Sequence, residues 1–108
     1  MGYFGPERRI HRIFITRNTE YHMRQRTCVR IRDRQSGRWV ENHRALNLIM
    51  TGSYPFGSSD SDINLSDVPE IGECVFFNAN GIDLITSPVL AIERPSRDVV
   101  RTQYPAQS

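Results

Sequence analysis

The sequence contains no lysine, and all 14 of its basic residues are arginine. It also lacks a continuous apolar run of about 20 residues, so no membrane-spanning helix is predicted. Cysteine is scarce, with only Cys28 and Cys74, and the first residues do not form a secretory signal pattern. We therefore expect a cytoplasmic protein in which both cysteines are small buried hydrophobic residues and not a disulfide.

The length and composition predict one folded domain. The chain has 108 residues, a hydrophobic fraction of 38% and a formal net charge of only +2, which excludes a disordered polyelectrolyte. A multi-domain enzyme with a separate cofactor domain does not fit this length, and no cofactor is predicted. We expect a single domain over residues 1–108, with a loose lead-in at residues 1–7 and a frayed tail at residues 105–108.

The small net charge hides a strong asymmetry along the chain. Residues 1–44 carry 11 arginines and four acidic residues, a net charge of +7. Residues 45–93 carry seven acidic residues and no arginine, a net charge of −7, and residues 94–108 carry +2. The arginine-rich half is therefore the first place to look for a surface that binds anions.

Most of the remaining pattern predicts short strands. Residues 10–16 are β-branched and aromatic, and residues 22–34 alternate sharply between arginine-rich and partly apolar positions, so both segments are predicted as strands. Gln35-Ser36-Gly37 is typical of a hairpin turn, after which residues 38–40 are expected to run back along the preceding strand. Residues 42–51 have helical apolar spacing and predict a short helix, with a strand as the alternative. Residues 52–69 are rich in Ser, Asp and Gly and predict a long loop.

The strongest local signal lies in the second half. Asn80-Gly81 separates two apolar segments, which indicates a two-residue hairpin in which Phe77 faces Leu84 and Phe76 faces Ile85. Because both faces are then apolar, we expect this hairpin to be central. A further strand follows at residues 89–93, and residues 98–104 are expected to form a final strand or turn. The fold class predicted is all-β: a small antiparallel barrel or sandwich of five to seven short strands with one short helix.

The alternation in residues 22–34 makes one strand face almost entirely guanidinium. Guanidinium groups are planar and permanently charged, and they can hold a phosphate through two parallel hydrogen bonds. Side chains two residues apart on a strand are about 6–7 Å apart, similar to successive phosphates of a nucleic acid. Alternatively, this face and the acidic half neutralise each other. The candidate residues are Arg24, Arg26, Arg30 and Arg32.

A second arginine pattern stands before the first strand. Arg8-x-x-x-Arg12, which includes Arg9, followed by Asp33 and Ser36 further along, resembles the motifs of the PilZ domain. That resemblance implies a small six-stranded β-barrel with a C-terminal helix and binding of a cyclic dinucleotide. Arg8 and Arg12 would then hold its phosphates and stack on guanine, with Asp33 and Ser36 in the role of the second motif. The sequence departs from that second motif, since the serine stands one place late and the glycine one place early.

Residues suited to catalysis or metal binding are few. The three histidines and two cysteines lack any metal-ligand spacing, and His22 and Cys28 are too far apart on one strand to act together. No catalytic residue, metal or cofactor is predicted, and we expect a protein that is not an enzyme. Trp39 is a core residue or, alternatively, an anchor in an interface.

The predicted function is therefore binding without chemistry. The leading hypothesis is that the arginine-rich half recognises a phosphate-bearing ligand, with a cyclic dinucleotide as the specific ligand that the resemblance implies. The alternatives are a protein-interaction or structural domain, such as a homo-oligomer paired through its +7 and −7 halves, and a nucleic-acid binder, which the modest overall charge favours less.

Overall fold

The computed structural model describes residues 10–57, 63–79 and 81–105. Arg8, Arg9 and the whole predicted lead-in lie outside these residues, as do residues 106–108 of the predicted tail. The described chain forms seven strands followed by a C-terminal helix, which confirms the mainly β class. The elements are β1 His11–Ile15, β2 Thr19–Arg24, β3 Thr27–Asp33, β4 Ile49–Pro55, β5 Glu73–Ala79, β6 Ile82–Pro88, β7 Ala91–Glu93 and α1 Arg97–Gln103.

The strands form one antiparallel sheet in the order β6-β5-β4-β3-β2-β1-β7. A flat sheet of this many strands would be about 29 Å wide, but the chain from Pro88 to Ala91 can span at most about 11 Å. The sheet must therefore curl until its two ends meet. The residues between β6 and β7 bond to the strand on each side of this junction, from Val89 N to Glu73 O at 2.8 Å and from Leu90 N to Ile15 O at 2.7 Å. We call the curled sheet the barrel.

The concave side of the curled sheet encloses the core. Side chains from β1 to β5 meet there, because alternate residues of each strand point to the same face. The buried cluster consists of Phe14, Tyr21, Met23, Cys28, Ile31, Ala45, Met50, Val75, Phe77 and Val89. Both cysteines are free and buried, as the sequence predicts.

The Asn80-Gly81 hairpin has the predicted register. Phe77 pairs with Leu84 and Phe76 with Ile85, and Gly81 has the positive φ (82°) that such a turn requires. The prediction that this hairpin is central is wrong, because β6 stands last in the strand order. Phe77 is fully buried, whereas Ile85 is 51% exposed on the outer face.

The prediction of a single strand over residues 22–34 is also wrong. The chain reverses at Gln25, so this segment is shared by β2 and β3, which pair with each other. Gln25 adopts φ 53° without a glycine to mark the turn, and its amide donates to Ile10 O at 2.6 Å. The two-residue turn inverts the alternation, since Met23 pairs with Cys28, but the extra residue Val29 restores it, since His22 pairs with Arg30. The polar–apolar pattern therefore continues through the turn, and periodicity alone does not reveal it.

The predicted helix over residues 42–51 does not form. Residues 43–48 form turns, and Ile49 begins β4, which extends to Pro55 and so takes the first part of the predicted loop at 52–69. Asn47 has φ 69°, which no α-helix accommodates, and its amide donates to Cys28 O at 2.7 Å. Pairing with β3 outweighs a weak local helical preference here.

The C-terminal residues form α1 instead of the expected strand or turn. Ser96 caps the helix, because its hydroxyl accepts a hydrogen bond from the Val99 amide at 3.1 Å. Asp98 in the first turn and Arg101 in the last turn both suit the helix dipole. The hairpin turn at residues 35–37 is confirmed: Gly37 has φ 75°, and Trp39 returns to pair with Arg32 in an isolated bridge.

Candidate functional site

The outer face of β2 and β3 carries most of the predicted arginine residues that the structure describes. His22 pairs with Arg30, but Met23 pairs with Cys28, so Val29 is an extra residue in β3. Cys28 faces the core with Met23, and the bulge places Arg30 and Arg32 outside with His22 and Glu20, although strict alternation would put Cys28 beside them. We call the resulting surface the arginine face, consisting of Glu20, His22, Arg24, Arg30, Arg32 and Trp39.

Trp39 lies at the centre of the arginine face. The guanidinium carbon of Arg30 lies 4.8 Å from the centroid of the Trp39 ring, and that of Arg32 lies 5.3 Å away. The His22 ring meets the indole edge-on, with 4.8 Å between ring centroids. Such contacts attract a cation to the face of the indole ring. The half-buried Trp39 is thus packed among these side chains, and the interface role predicted for it stays a prediction.

Beneath this surface, His22 links the barrel to the C-terminal segment. Its Nε2 lies 3.0 Å from Glu20 Oε1 and its Nδ1 lies 2.6 Å from the Tyr104 hydroxyl. Burial lowers the pKa of His22 and the neighbouring arginines lower it further, against the opposing effect of Glu20. We therefore assign a neutral ring that donates from Nε2 to Glu20 and accepts from the Tyr104 O–H. Burial raises the pKa of Tyr104, so its hydroxyl keeps its proton.

Arg24 makes a second link to the same segment. Its Nη2 donates to the Pro105 carbonyl at 2.8 Å and its Nε donates to His11 Nε2 at 3.3 Å. Tyr104 is only 7% exposed, whereas α1 buries none of its residues. The C-terminal segment is thus attached to the barrel at Tyr104 and Pro105.

Arg30 differs from the other arginines of this face in how its donors are used. Its Nε is buried without a hydrogen-bond partner, and its Nη2 lies 3.8 Å from Glu41 Oε2, beyond hydrogen-bonding distance. By contrast, Arg32 Nε donates to Gly37 O at 2.9 Å. A buried donor without a partner costs about 1–3 kcal/mol. Among the arginines of this face, Arg30 is therefore the one that gains most from a new acceptor.

A cavity of about 280 Å³ lies beside Arg30, between the barrel and the C-terminal segment. Residues of the C-terminal segment form one wall of this cavity, so the cavity depends on the attachment of that segment to the barrel. The opposite side consists of β3 and the turn that precedes β4. The lining residues are Val29, Arg30, Val40, Glu41, Leu46, Asn47, Gln103, Tyr104 and Pro105.

The side chain of the turn residue Arg26 has its partners outside the arginine face. Its Nε donates to Met50 O at 3.1 Å, and its Nη1 donates to Leu65 O at 3.3 Å and to the Asp67 carboxylate. Arg26 thereby fastens residues 65–67 to the barrel. Here a residue of the arginine-rich half pairs with one of the acidic half within a single chain, as the alternative hypothesis for these arginines expects.

Of the residues named by the PilZ resemblance, the structure describes Arg12, Asp33 and Ser36, and it does not bring Arg12 near the other two. Arg12 pairs with Met23 near one end of β2, whereas Asp33 pairs with Thr19 at the other end, about 14 Å further along the strand. Asp33 and Ser36 shape a turn, with the Ser36 amide donating to Asp33 Oδ2 at 2.8 Å. That hydrogen bond lowers the pKa of the Asp33 carboxyl.

Several residues of the site were not among the sequence candidates. His22 stood in the arginine alternation and could have been included on that ground. Tyr104 lies 82 residues from its partner His22, and no local pattern links the two. Glu41 and Asn47 belong to irregular turns, whose position depends on pairing with β3.

Comparison with known proteins provides no relative: no family model, curated protein or solved structure matches the chain. Within the part of the chain that the structure describes, His, Cys, Asp and Glu side chains form no cluster of three or more that could hold a metal ion. Among the same residues, no helix is long and apolar enough to cross a membrane. The site is therefore interpreted from its own geometry.

Proposed function

We propose that this domain is a binding module that takes a small phosphate-bearing anion in the cavity beside Arg30. The observation that carries the proposal is the buried Arg30 Nε without a partner, at the wall of an open cavity. A rotation of this side chain would let its guanidinium hold an oxyanion through two parallel hydrogen bonds. The bound anion would replace the long contact to Glu41 and satisfy the unused donor.

The rest of the arginine face supports this role by limiting the Arg30 side chain to a few positions beside Trp39. Trp39 stacks on both Arg30 and Arg32, and His22 packs against the same indole. Arg32 already donates to a backbone carbonyl. We therefore assign Arg32 to positioning Trp39 and Arg30 to binding the anion. Preorganisation of this kind reduces the entropy lost when a ligand binds.

The proposed function is binding without catalysis, in the cytoplasm. Burial raises the pKa of Cys28 to about 12 and raises that of Tyr104, so neither side chain is an activated nucleophile at neutral pH. Both cysteines are free, which suits a reducing compartment.

A cyclic dinucleotide is the specific ligand that the PilZ resemblance suggests, and it belongs in the first test. A PilZ barrel would have six strands and a C-terminal helix, whereas this sheet has seven strands and is followed by a helix. If the resemblance holds, binding should depend on Arg12. If the cavity is the site, it should depend on Arg30.

Thermal unfolding against a panel of nucleotides, cyclic dinucleotides and simple phosphate esters tests the proposal. A ligand raises the melting temperature according to RT ln(1 + [L]/Kd). We expect a shift that is lost in Arg30→Ala and retained in the control Arg94→Ala, which removes an exposed arginine outside the cavity lining. No shift with any anion at millimolar concentration, or a shift that survives Arg30→Ala, would overturn it.

Salt titration separates the remaining hypotheses. Nucleic-acid binding should weaken steeply as salt rises, because each phosphate contact releases counterions. A homo-oligomer paired through its charged halves should dissociate over the same range without any ligand, which sedimentation velocity would detect. A single buried anion contact should depend on salt much less.

A further inference from the structure

One acidic residue stands at the wall of the same cavity. Glu41 lines it together with Arg30, and its Oε2 lies 3.8 Å from Arg30 Nη2. At this distance the two groups attract each other without a hydrogen bond. The Glu41 side chain is 79% exposed and can turn away, whereas the Arg30 side chain is only 21% exposed. A ligand can therefore displace the Glu41 carboxylate from Arg30, but the bound ligand then lies close to the negative charge of Glu41.

This arrangement sets the charge that the site can accept. Arg30 and Glu41 together are neutral, so a bound monoanion leaves the cavity wall with one net negative charge. A dianion would leave two, with the second negative charge close to the Glu41 carboxylate. Like charges a few ångströms apart repel each other, and water and salt reduce this repulsion for an exposed group without removing it.

The rest of the lining indicates the body of the ligand. Val29, Val40 and Leu46 supply apolar surface, and Pro105 adds more from the C-terminal segment. The volume of about 280 Å³ lies just below the usual range of about 300–1,000 Å³ for small-molecule sites. Such a cavity suits one compact apolar group with a single polar head.

Building on the proposed function, we infer that the ligand is a small amphipathic monoanion, namely a phosphodiester or carboxylate joined to one compact apolar group. Glu41 is the residue that selects a monoanion over a dianionic phosphate monoester. The shared chemistry is one delocalised negative charge that pairs with one guanidinium. Within the phosphate-bearing class of the proposed function this selects phosphodiesters, and it adds carboxylates of the same charge.

Three probe ligands that share a benzene ring test whether the site prefers a monoanion to a dianion. Methyl phenyl phosphate and benzoate are monoanions at pH 7.5, whereas phenyl phosphate is mostly a dianion because its second pKa lies near 6. Binding is measured by the fluorescence of Trp39, the single tryptophan, which stacks on Arg30. We expect methyl phenyl phosphate or benzoate to bind about tenfold more tightly than phenyl phosphate, a ratio that corresponds to 1.4 kcal/mol.

The variant Glu41→Gln tests whether this residue causes the selection. We expect it to abolish or reverse the preference, while the matched control Glu70→Gln, an exposed acid outside the cavity lining, preserves it. Equal or tighter binding of phenyl phosphate to the unaltered protein, or an unchanged preference in Glu41→Gln, would overturn the inference and leave the proposed function standing. Failure of all three probes to bind would overturn both.

Discussion

The hydroxyl of Tyr104 lies 2.6 Å from Nδ1 of His22, and this hydrogen bond joins the C-terminal segment to the barrel. Tyr104→Phe should cost about 1–3 kcal/mol of unfolding free energy, because a buried imidazole nitrogen loses its partner. Urea unfolding followed by circular dichroism measures the change. Tyr54→Phe, at a half-buried position, is the control. A loss below about 0.5 kcal/mol for Tyr104→Phe would show that the bond contributes little.

Glu73 predicts an acid-dependent loss of stability. Its Oε1 accepts hydrogen bonds from Ser53 Oγ, Asn64 Nδ2 and the Glu70 amide at 2.9, 3.0 and 2.8 Å. Burial alone would raise the pKa of Glu73, but these hydrogen bonds outweigh it and lower the pKa below its ordinary value of 4.5. The unfolded chain then binds the proton more readily than the folded one.

The stability contributed by Glu73 should therefore be complete above pH 4.5 and lost as the pH falls through the lower pKa of the folded state. Denaturation at a series of pH values, compared between the unaltered protein and Glu73→Gln, measures this contribution. We expect the variant to be about 1 kcal/mol less stable at neutral pH and less sensitive to acid. Parallel pH profiles for the two proteins would contradict the assignment.

Gly52 allows residues 63–64 to pack closely on β4. A Cβ at this position would lie 2.9 Å from Cδ1 and Cγ1 of Ile63 and 3.1 Å from the Asn64 carbonyl oxygen. Gly52→Ala should cost about 1–3 kcal/mol, since a backbone atom must shift as well as a side chain. In an Ile63→Ala background the cost should fall, and additive effects in the double-mutant cycle would contradict the contact.

Cys28 should be chemically silent in the folded protein. It is fully buried, and burial raises the pKa of its thiol to about 12, so almost no thiolate exists at pH 8. In a Cys74→Ala variant, we expect a thiol reagent to label the folded protein at least about 100-fold more slowly than the urea-unfolded chain. Similar rates in the two states would show that the residue is accessible.

The sequence predicted the elements whose signal is local. The Asn80-Gly81 register was correct because the turn type fixes which residues face each other. The hairpin at Gln25 was missed because neither Gly nor Asn marks it. The helix over residues 42–51 was wrongly predicted because hydrogen bonds to β3, distant in sequence, decide that segment. The cap at Ser96 was a local signal for α1 that could have been used.

Some residues of the candidate site could likewise be predicted from local sequence, and others could not. The two arginines on β3, Arg30 and Arg32, were identified from alternation alone and do lie on the outer face. The bulge at Val29 was not visible in the sequence, and it is what puts Cys28 and Arg30 on opposite faces of the sheet. Tyr104 completes the site from the far end of the chain, so only the folded chain reveals it.

The most direct test of the proposed site follows the Arg30 Nε–H signal in a proton–nitrogen NMR spectrum. The signal is assigned as the one missing from Arg30→Lys, and methyl phenyl phosphate is then added to the unaltered protein at pH 7.5. We predict that the Arg30 signal moves and its hydrogen exchange slows as the anion provides an acceptor, while the signal of Arg26, already bonded to Met50 O, stays in place. An unchanged Arg30 signal at saturation, with the shifts falling on other arginines, would contradict the proposed site.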